Sequence, residues 1–243
     1  MKIGIIQSRG MGDIIIALPI ALALKEQGHE IVWPICEEFV DNVKNHVDWI
    51  TWVPLKTDPR GEFFYDRPMQ LLRYTTDQQL NLMQFLSSRP GDSDPDLFPI
   101  LKFDQYKYAR AGVPYRDKLR LNQCITRRPA VEDQLYQQVV QSPKYIVTHL
   151  AGSDRRLELD FSDAEAQGYQ VVNIKEIQGY SVFDWIKVIE GAESLYLIDS
   201  CFANMVDQLD IGQDKWFIRR SKMDLTPVLL SDWQYFPVSS LGI

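Results

Sequence analysis

An apolar run, Ile3-Gly4-Ile5-Ile6, leads into the glycine turn Gly10-Met11-Gly12-Asp13 and then into Ile14-Ile15-Ile16-Ala17-Leu18-Pro19-Ile20-Ala21-Leu22. No other stretch limits the fold as strongly. The first run reads as a buried strand. The last reads as a helix apolar almost all round, as a helix enclosed between a sheet and its neighbours must be. Glycines let the backbone turn sharply and let a ligand approach closely. In open α/β sheets, ligands bind where a strand ends and a helix begins, and Asp13 stands at that junction. Pro19 is expected to kink the helix or disturb its ladder.

Strand and helix signals alternate through the first third. Lys2 to Gln7 reads as strand, Asp13 to Gln27 as a helix stopped by Gly28, His29 to Ile35 as strand, Glu37 to Asn45 as helix and Trp49 to Leu55 as strand. Such alternation predicts a parallel sheet with right-handed crossovers. In the middle, Met69 to Leu86 is expected to be helical, with Leu72, Leu80, Leu82, Met83 and Leu86 as its apolar positions. Residues 87–96 read as a loop by their Pro, Gly, Ser and Asp content. Lys102 to Ala111 reads as a helix closed by Gly112, and Arg127-Arg128-Pro129 as a boundary.

The alternation returns afterwards. Val131 to Gln141 reads as helix, Lys144 to Leu150 as a strand ending in the loop 151–156, and Tyr169 to Ile174 as strand. Ser181 to Gly191 carries Val182, Trp185, Ile186 and Ile189 at helical spacing. Leu195 to Ile198 is a strand delivering Asp199-Ser200. A helix with Phe202, Met205, Val206 and Leu209 on one face follows, then a last strand at Trp216 to Ile218.

Composition removes several classes. With 243 residues the chain can bury a sizeable core without disulfides or metals. The net charge of −7 argues against non-specific binding to nucleic acid or anionic membrane, which needs a basic face. Cys36, Cys124 and Cys201 are far apart, and with His29, His46 and His149 they form no metal-ligand spacing. They predict small buried hydrophobes in a reduced, cytoplasmic chain. Lys2, the run from Ile14 to Leu24 and Ala21-x-Ala23 imitate a secretory signal, but Asp13 and the Gly-x-Gly break its order. The run is also too short to span a bilayer. A dinucleotide fingerprint, a Gly-Lys-Ser/Thr loop and a Gly-x-Ser-x-Gly elbow are all missing. Arg219-Arg220-Ser221-Lys222 reads as a solvated turn. Trp33, Trp49 and Trp52 read as core, and Trp233 and Tyr235 as either core or sugar-stacking groups.

Gly12-Asp13-Ile14-Ile15-Ile16-Ala17-Leu18-Pro19, with Leu22 and Leu24-Lys25 beyond, resembles the N-terminal signature of the heptosyltransferase family of glycosyltransferases, family nine. That signature is Gly-Asp, a short apolar run, and Pro at a fixed distance. Leu197-Ile198-Asp199-Ser200 resembles the family's Asp-Ser/Thr-Gly-x-x-His segment, and Tyr180 to Ser200 the helix and strand that lead into it. His149-Leu150-Ala151-Gly152-Ser153 is similar to the family's His-Pro-Gly-Ser loop. The matches lie at the two ends of the chain and leave its middle unmatched.

The resemblance implies an α/β fold of GT-B type, with two Rossmann-like parallel-sheet domains facing across a cleft. Residues 1–128 would be the acceptor domain and 129–243 the nucleotide-sugar domain, with the tail 226–243 crossing back onto the first. It implies inverting, metal-independent transfer of a sugar from a nucleotide-sugar to a hydroxyl acceptor, with no cofactor. Asp13 suits the general base such a transfer needs, and it suits a helix N-cap as well. Gly10 and Gly12 would open space for acceptor or sugar. Ser153, Arg155, Arg156, Ser200 and Cys201 would surround the diphosphate, using the free N–H groups of a helix start and bidentate guanidinium pairs, with Asp199 and Asn204 as further substrate-binding positions. The plain alternatives are an ordinary Asp/Ser cap and a solvated basic turn. Glu176 is placed to accept ribose hydroxyls, or is a surface glutamate.

Two positions depart from the family pattern. Cys201 stands where glycine is usual, and its side chain limits how closely a phosphate approaches the backbone. Asn204 stands where histidine is usual. These departures support a second expectation, a non-catalytic nucleotide or sugar binder. A structural module without ligand and a glycosyltransferase of modified DNA bases are further alternatives; the acidic balance weighs against the last.

Overall fold

The computed structural model describes residues 1–83, 100–153, 155–220 and 226–236. The chain divides into two compact units, Met1–Thr126 and Arg127–Ile243. The expected loop at 87–96 lies outside the described residues, as do Gln84 to Leu86, Ser221, Lys222 and the tail from 237 onward.

The first unit runs β1 (Lys2–Ile6), α1 (Met11–Glu26), β2 (Glu30–Cys36), α2 (Glu37–Val43), β3 (Thr51–Leu55), α3 (Asp66–Arg73), β4 (Gln78–Asn81), α4 (Phe103–Ala111) and α5 (Leu121–Cys124). Its four strands are all parallel, in the order β3-β2-β1-β4. From β1 the chain builds outward through β2 and β3, then returns to place β4 on the other side of β1. Strand order therefore reverses between β1 and β4, and the carboxyl ends of these two strands form the topological switch point.

Helix α1 is buried without a break from Ile14 to Leu24, as its all-round apolar sequence requires. Pro19 lies inside it and offers no N–H to the Ile15 carbonyl. In the same turn, the buried Tyr108 hydroxyl donates to the Ile16 carbonyl at 2.9 Å and ties α4 to α1.

The expected helix over Met69 to Leu86 is corrected. Helix α3 ends at Arg73, where the Thr75 and Thr76 hydroxyls donate back to the Leu71 and Leu72 carbonyls at 2.8 and 2.6 Å. Such local bonds compete with helix continuation. Leu80 and Leu82 alternate at strand period, and Leu80 pairs in register with Ile5 of β1. Pairing with β1 outweighed a short apolar run that fits either period.

The second unit runs α6 (Pro129–Val139), β5 (Tyr145–His149), α7 (Ser162–Ala166), β6 (Gln170–Asn173), a 3-10 turn at Val182–Trp185 continuing into α8 (Ile186–Glu190), β7 (Ser194–Ile198), α9 (Cys201–Gln208), β8 (Asp214–Ile218) and β9 (Gln234–Tyr235). Its sheet is parallel throughout, in the order β6-β5-β7-β8-β9, so its switch point lies between β5 and β7. The helix expected from Ser181 opens as a 3-10 turn under a capping box of Ser181 and Asp184. Strand β9 is only two residues long and gives no sequence signal. It keeps the chain on this sheet through Phe236, where Trp233 donates to buried Asp207 at 3.2 Å and packs on Phe217.

Candidate active site

Asp13 is not the N-cap of α1. The helix begins two residues earlier at Met11, Gly10 takes the cap position, and Asp13 falls in the first turn without a capping bond. Its carboxylate is one-third exposed, and Oδ1 lies 3.2 Å from the buried Lys107 ammonium. Gly10 has φ +85°, a conformation open to glycine, and a Cβ added there would lie 2.6 Å from Asp13 Oδ2. The glycine thus makes room for the aspartate itself. Gly12, in the first turn of α1, is half-buried.

Lys107 reaches this point from α4. Its ammonium donates to Gln7 Oε1, just past β1, and to the Leu82 carbonyl, just past β4, at 3.1 Å in the latter case. The position of α4 is fixed twice. Tyr108 holds it to α1, and the buried Asp104 accepts from Lys118 at 3.2 Å and from Tyr115 at 2.5 Å. Asp13, Gln7 and Lys107 therefore cluster at the switch point of the first sheet.

In the second unit, His149 ends β5 and Ser200 follows β7. Their side chains meet, with His149 Nδ1 3.0 Å from Ser200 Oγ. Ser200 occupies the N-cap position of α9, and its hydroxyl makes no capping bond. The His149 ring also packs on Phe202, and burial pushes its pKa down to about 4. Cys36 and Cys124 are buried as expected, whereas Cys201 is only partly buried, and desolvation pushes its thiol up to about 12.

The loop after β5 folds back on itself, with the Gly152 N–H donating to the Arg155 carbonyl at 2.7 Å. Arg220, just past β8, donates to Ser153 Oγ at 2.8 Å and lies 3.5 Å from the buried Asp199 carboxylate. A Cβ on Gly152 would sit 2.7 Å from the Arg220 side chain, so this glycine permits a close approach. The solvated turn expected at residues 219–222 is corrected at Arg220, which joins the site. Arg155 and Arg156 are exposed, and Asp154 between Ser153 and Arg155 lies outside the described residues. Glu176 is exposed beyond the edge strand β6. Asn204 is buried and turned inward, its Nδ2 donating to the Ser200 carbonyl at 3.0 Å while Oδ1 has no hydrogen-bond partner.

Two cavities, of about 470 and 580 Å3, lie elsewhere: beside Lys2, Glu30 and Asp77, and beside Phe161, Tyr169 and Tyr196. Among the described residues, no cluster of His, Cys, Asp and Glu has metal-binding geometry, and no helix is long and apolar enough to cross a membrane.

No family model matches the chain, and no curated protein matches it by sequence. Solved structures do match. A family 9 glycosyl transferase from Veillonella parvula aligns over 97% of this chain and 86% of its own, with TM-score 0.62 and 11% identity. The E. coli ADP-heptose lps heptosyltransferase II aligns over 97% and 90%, with TM-score 0.64 and 13% identity. The fold is a GT-B glycosyltransferase fold. E. coli heptosyltransferase WaaC, solved with ADP-2-deoxy-2-fluoro heptose, aligns over 97% of this chain and 93% of its own, with TM-score 0.55 and 11% identity. Sequence reasoning missed Gln7, Lys107 and Arg220. Lys107 lies between two tyrosines in a helix of mixed polarity, and only the return of β4 to β1 draws it inward.

Proposed function

We propose that this chain is an inverting glycosyltransferase that moves a sugar from a nucleoside-diphosphate sugar to a hydroxyl acceptor. The observation that carries the reading is a partly exposed carboxylate, Asp13, held at the switch point of a parallel sheet within a glycosyltransferase fold. In the reaction, the acceptor oxygen bonds to the anomeric carbon while the bond from that carbon to the diphosphate breaks. The nucleoside diphosphate leaves with the electron pair, and the acceptor proton passes to Asp13. The first unit holds the acceptor and the second the donor. Ser153, Ser200, Arg220 and the first N–H groups of α9 face the diphosphate, where a helix start and a guanidinium both favour negative charge. The similarity to E. coli heptosyltransferase WaaC, solved with ADP and with ADP-2-deoxy-2-fluoro heptose, supports an ADP-linked donor.

A screen of ADP-, UDP- and GDP-linked sugars, read as release of nucleoside diphosphate, tests the reading. Asp13→Asn is expected to abolish turnover while leaving the fold and the thermal shift induced by ADP in place, since asparagine keeps the size and shape of the side chain. EDTA is expected to leave the rate unchanged. Full turnover by Asp13→Asn would remove the base assignment.

A second reading is favoured by one observation. Asn204 turns its amide onto the Ser200 carbonyl and offers nothing outward from α9. In that reading the chain binds nucleotide without transfer, and ADP stabilises the wild-type chain while no sugar in the screen is released.

A further inference from the structure

Lys107 is a buried ammonium that meets three polar groups of the described residues. A lysine carries three N–H donors and no acceptor. Among the described residues Lys107 donates to Gln7 Oε1 and the Leu82 carbonyl, and it is ion-paired with Asp13 Oδ1 at 3.2 Å. The first two bind it to the ends of the two strands that flank the switch point. A neutral donor would satisfy both of these, and it would spare the chain the cost of desolvating a charge. The charge is accounted for by the third partner. Asp13 is the carboxylate that the ammonium faces, and each is positioned by a separate element, α1 and α4, themselves tied through Tyr108 and Ile16.

The two oxygens of Asp13 are consequently unlike. Oδ1 is occupied by Lys107. Oδ2 lies beside Gly10, at a place where a Cβ would come within 2.6 Å of it. We propose that Lys107 is the positioning residue of the Asp13 base, holding Oδ1 so that Oδ2 is the oxygen that receives the acceptor proton. The proposal rests on the sugar-transfer reading above. Lys107 touches neither sugar nor nucleotide in this scheme. It acts through Asp13, by holding the carboxylate at a fixed distance from the ends of β1 and β4, as a base must be held to meet its proton in line.

The test uses Lys107→Met, which keeps the length and removes the charge, and Lys107→Gln, which keeps a neutral donor for the Leu82 carbonyl if the methionine variant folds poorly. Turnover is measured on whichever sugar of the ADP, UDP and GDP panel the wild-type chain uses fastest. The expected result is a fall in kcat of about 10- to 100-fold with KM within about threefold of wild type, the pattern of a misplaced base. Asp13→Asn leaves no turnover to compare, so the coupling of the pair is read from stability. A urea-denaturation cycle over wild type, Lys107→Met, Asp13→Asn and the double variant should show coupling of at least about fivefold in the unfolding equilibrium.

Coupling with an unchanged kcat would overturn the proposal and leave the sugar-transfer reading standing. Absence of coupling would overturn it as well, because Lys107 would then exert no hold on Asp13. A wild-type chain that releases nothing across the panel would overturn the transfer reading, and the proposal with it.

Discussion

Gly10 and Asp13 act as one unit at the residue level. The glycine adopts φ +85° and leaves 2.6 Å between Asp13 Oδ2 and the place a methyl group would take. Gly10→Ala is therefore strained in its backbone and crowds the carboxylate. The expected cost is about 1–3 kcal/mol in urea denaturation, with turnover falling at least about tenfold. His149 gives a pH-dependent counterpart in the second unit. Burial holds its pKa near about 4, below the value of about 6.5 for an exposed histidine. Between these values the unfolded chain binds a proton that the folded chain does not. Stability present at neutral pH is thus lost as pH falls from about 6.5 toward about 4, by up to about 3 kcal/mol. His149→Gln should flatten that limb of the stability profile, measured as urea midpoints across the window. An unchanged profile would show that carboxylates alone set the acid limb.

Helices α1 and α4 act together at the level of elements. Helix α1 keeps its course through Pro19, and Tyr108 of α4 supplies a donor to the turn that the proline disturbs. Tyr108→Phe leaves the Ile16 carbonyl without that donor in a buried place, so a loss of about 1–3 kcal/mol is expected in thermal or urea unfolding. The sequence signals for these two helices differ in kind. The apolar run of α1 reads as a buried helix from composition alone. Helix α4 is legible as a helix, since Gly112 closes it, but the burial of its Asp104, Lys107 and Tyr108 is not. A buried lysine looks the same in sequence as a solvated one until its partners are known. Strand β4 shows the reverse problem, because four residues of uncertain period become a strand only by pairing with β1.

At the level of the whole molecule, each unit carries its own parallel sheet and its own apolar interior. In the second, Tyr145, Val147, Phe183, Ile186, Leu195, Leu197, Met205 and Phe217 are all at most 1% exposed. A core of that kind is what an independently folding domain requires. The fragment 127–243, expressed alone, is expected to unfold cooperatively and to retain an ADP-induced thermal shift. Loss of the shift in a folded fragment would show that the second unit alone is insufficient to bind the nucleotide. The structural division falls after Thr126, so that Arg127 and Arg128 open the second unit. These arginines bind within the second unit, Arg127 to Glu132 and Glu190 and Arg128 to Asp184.

Local chemistry alone settled the alternation of strand and helix outside β4 and β9, the strand-to-helix junctions at Gly10-Asp13 and Asp199-Ser200, and the burial of α1, because period, glycine turns and apolar runs act over a few neighbouring residues. Only the tertiary structure decided which strands stand side by side, and so which distant residues meet. Lys107 reaches Asp13 because β4 returns to β1; His149 reaches Ser200 because β7 lies against β5. Strand order depends on pairing free energy summed over the whole sheet, and no window of sequence contains that sum.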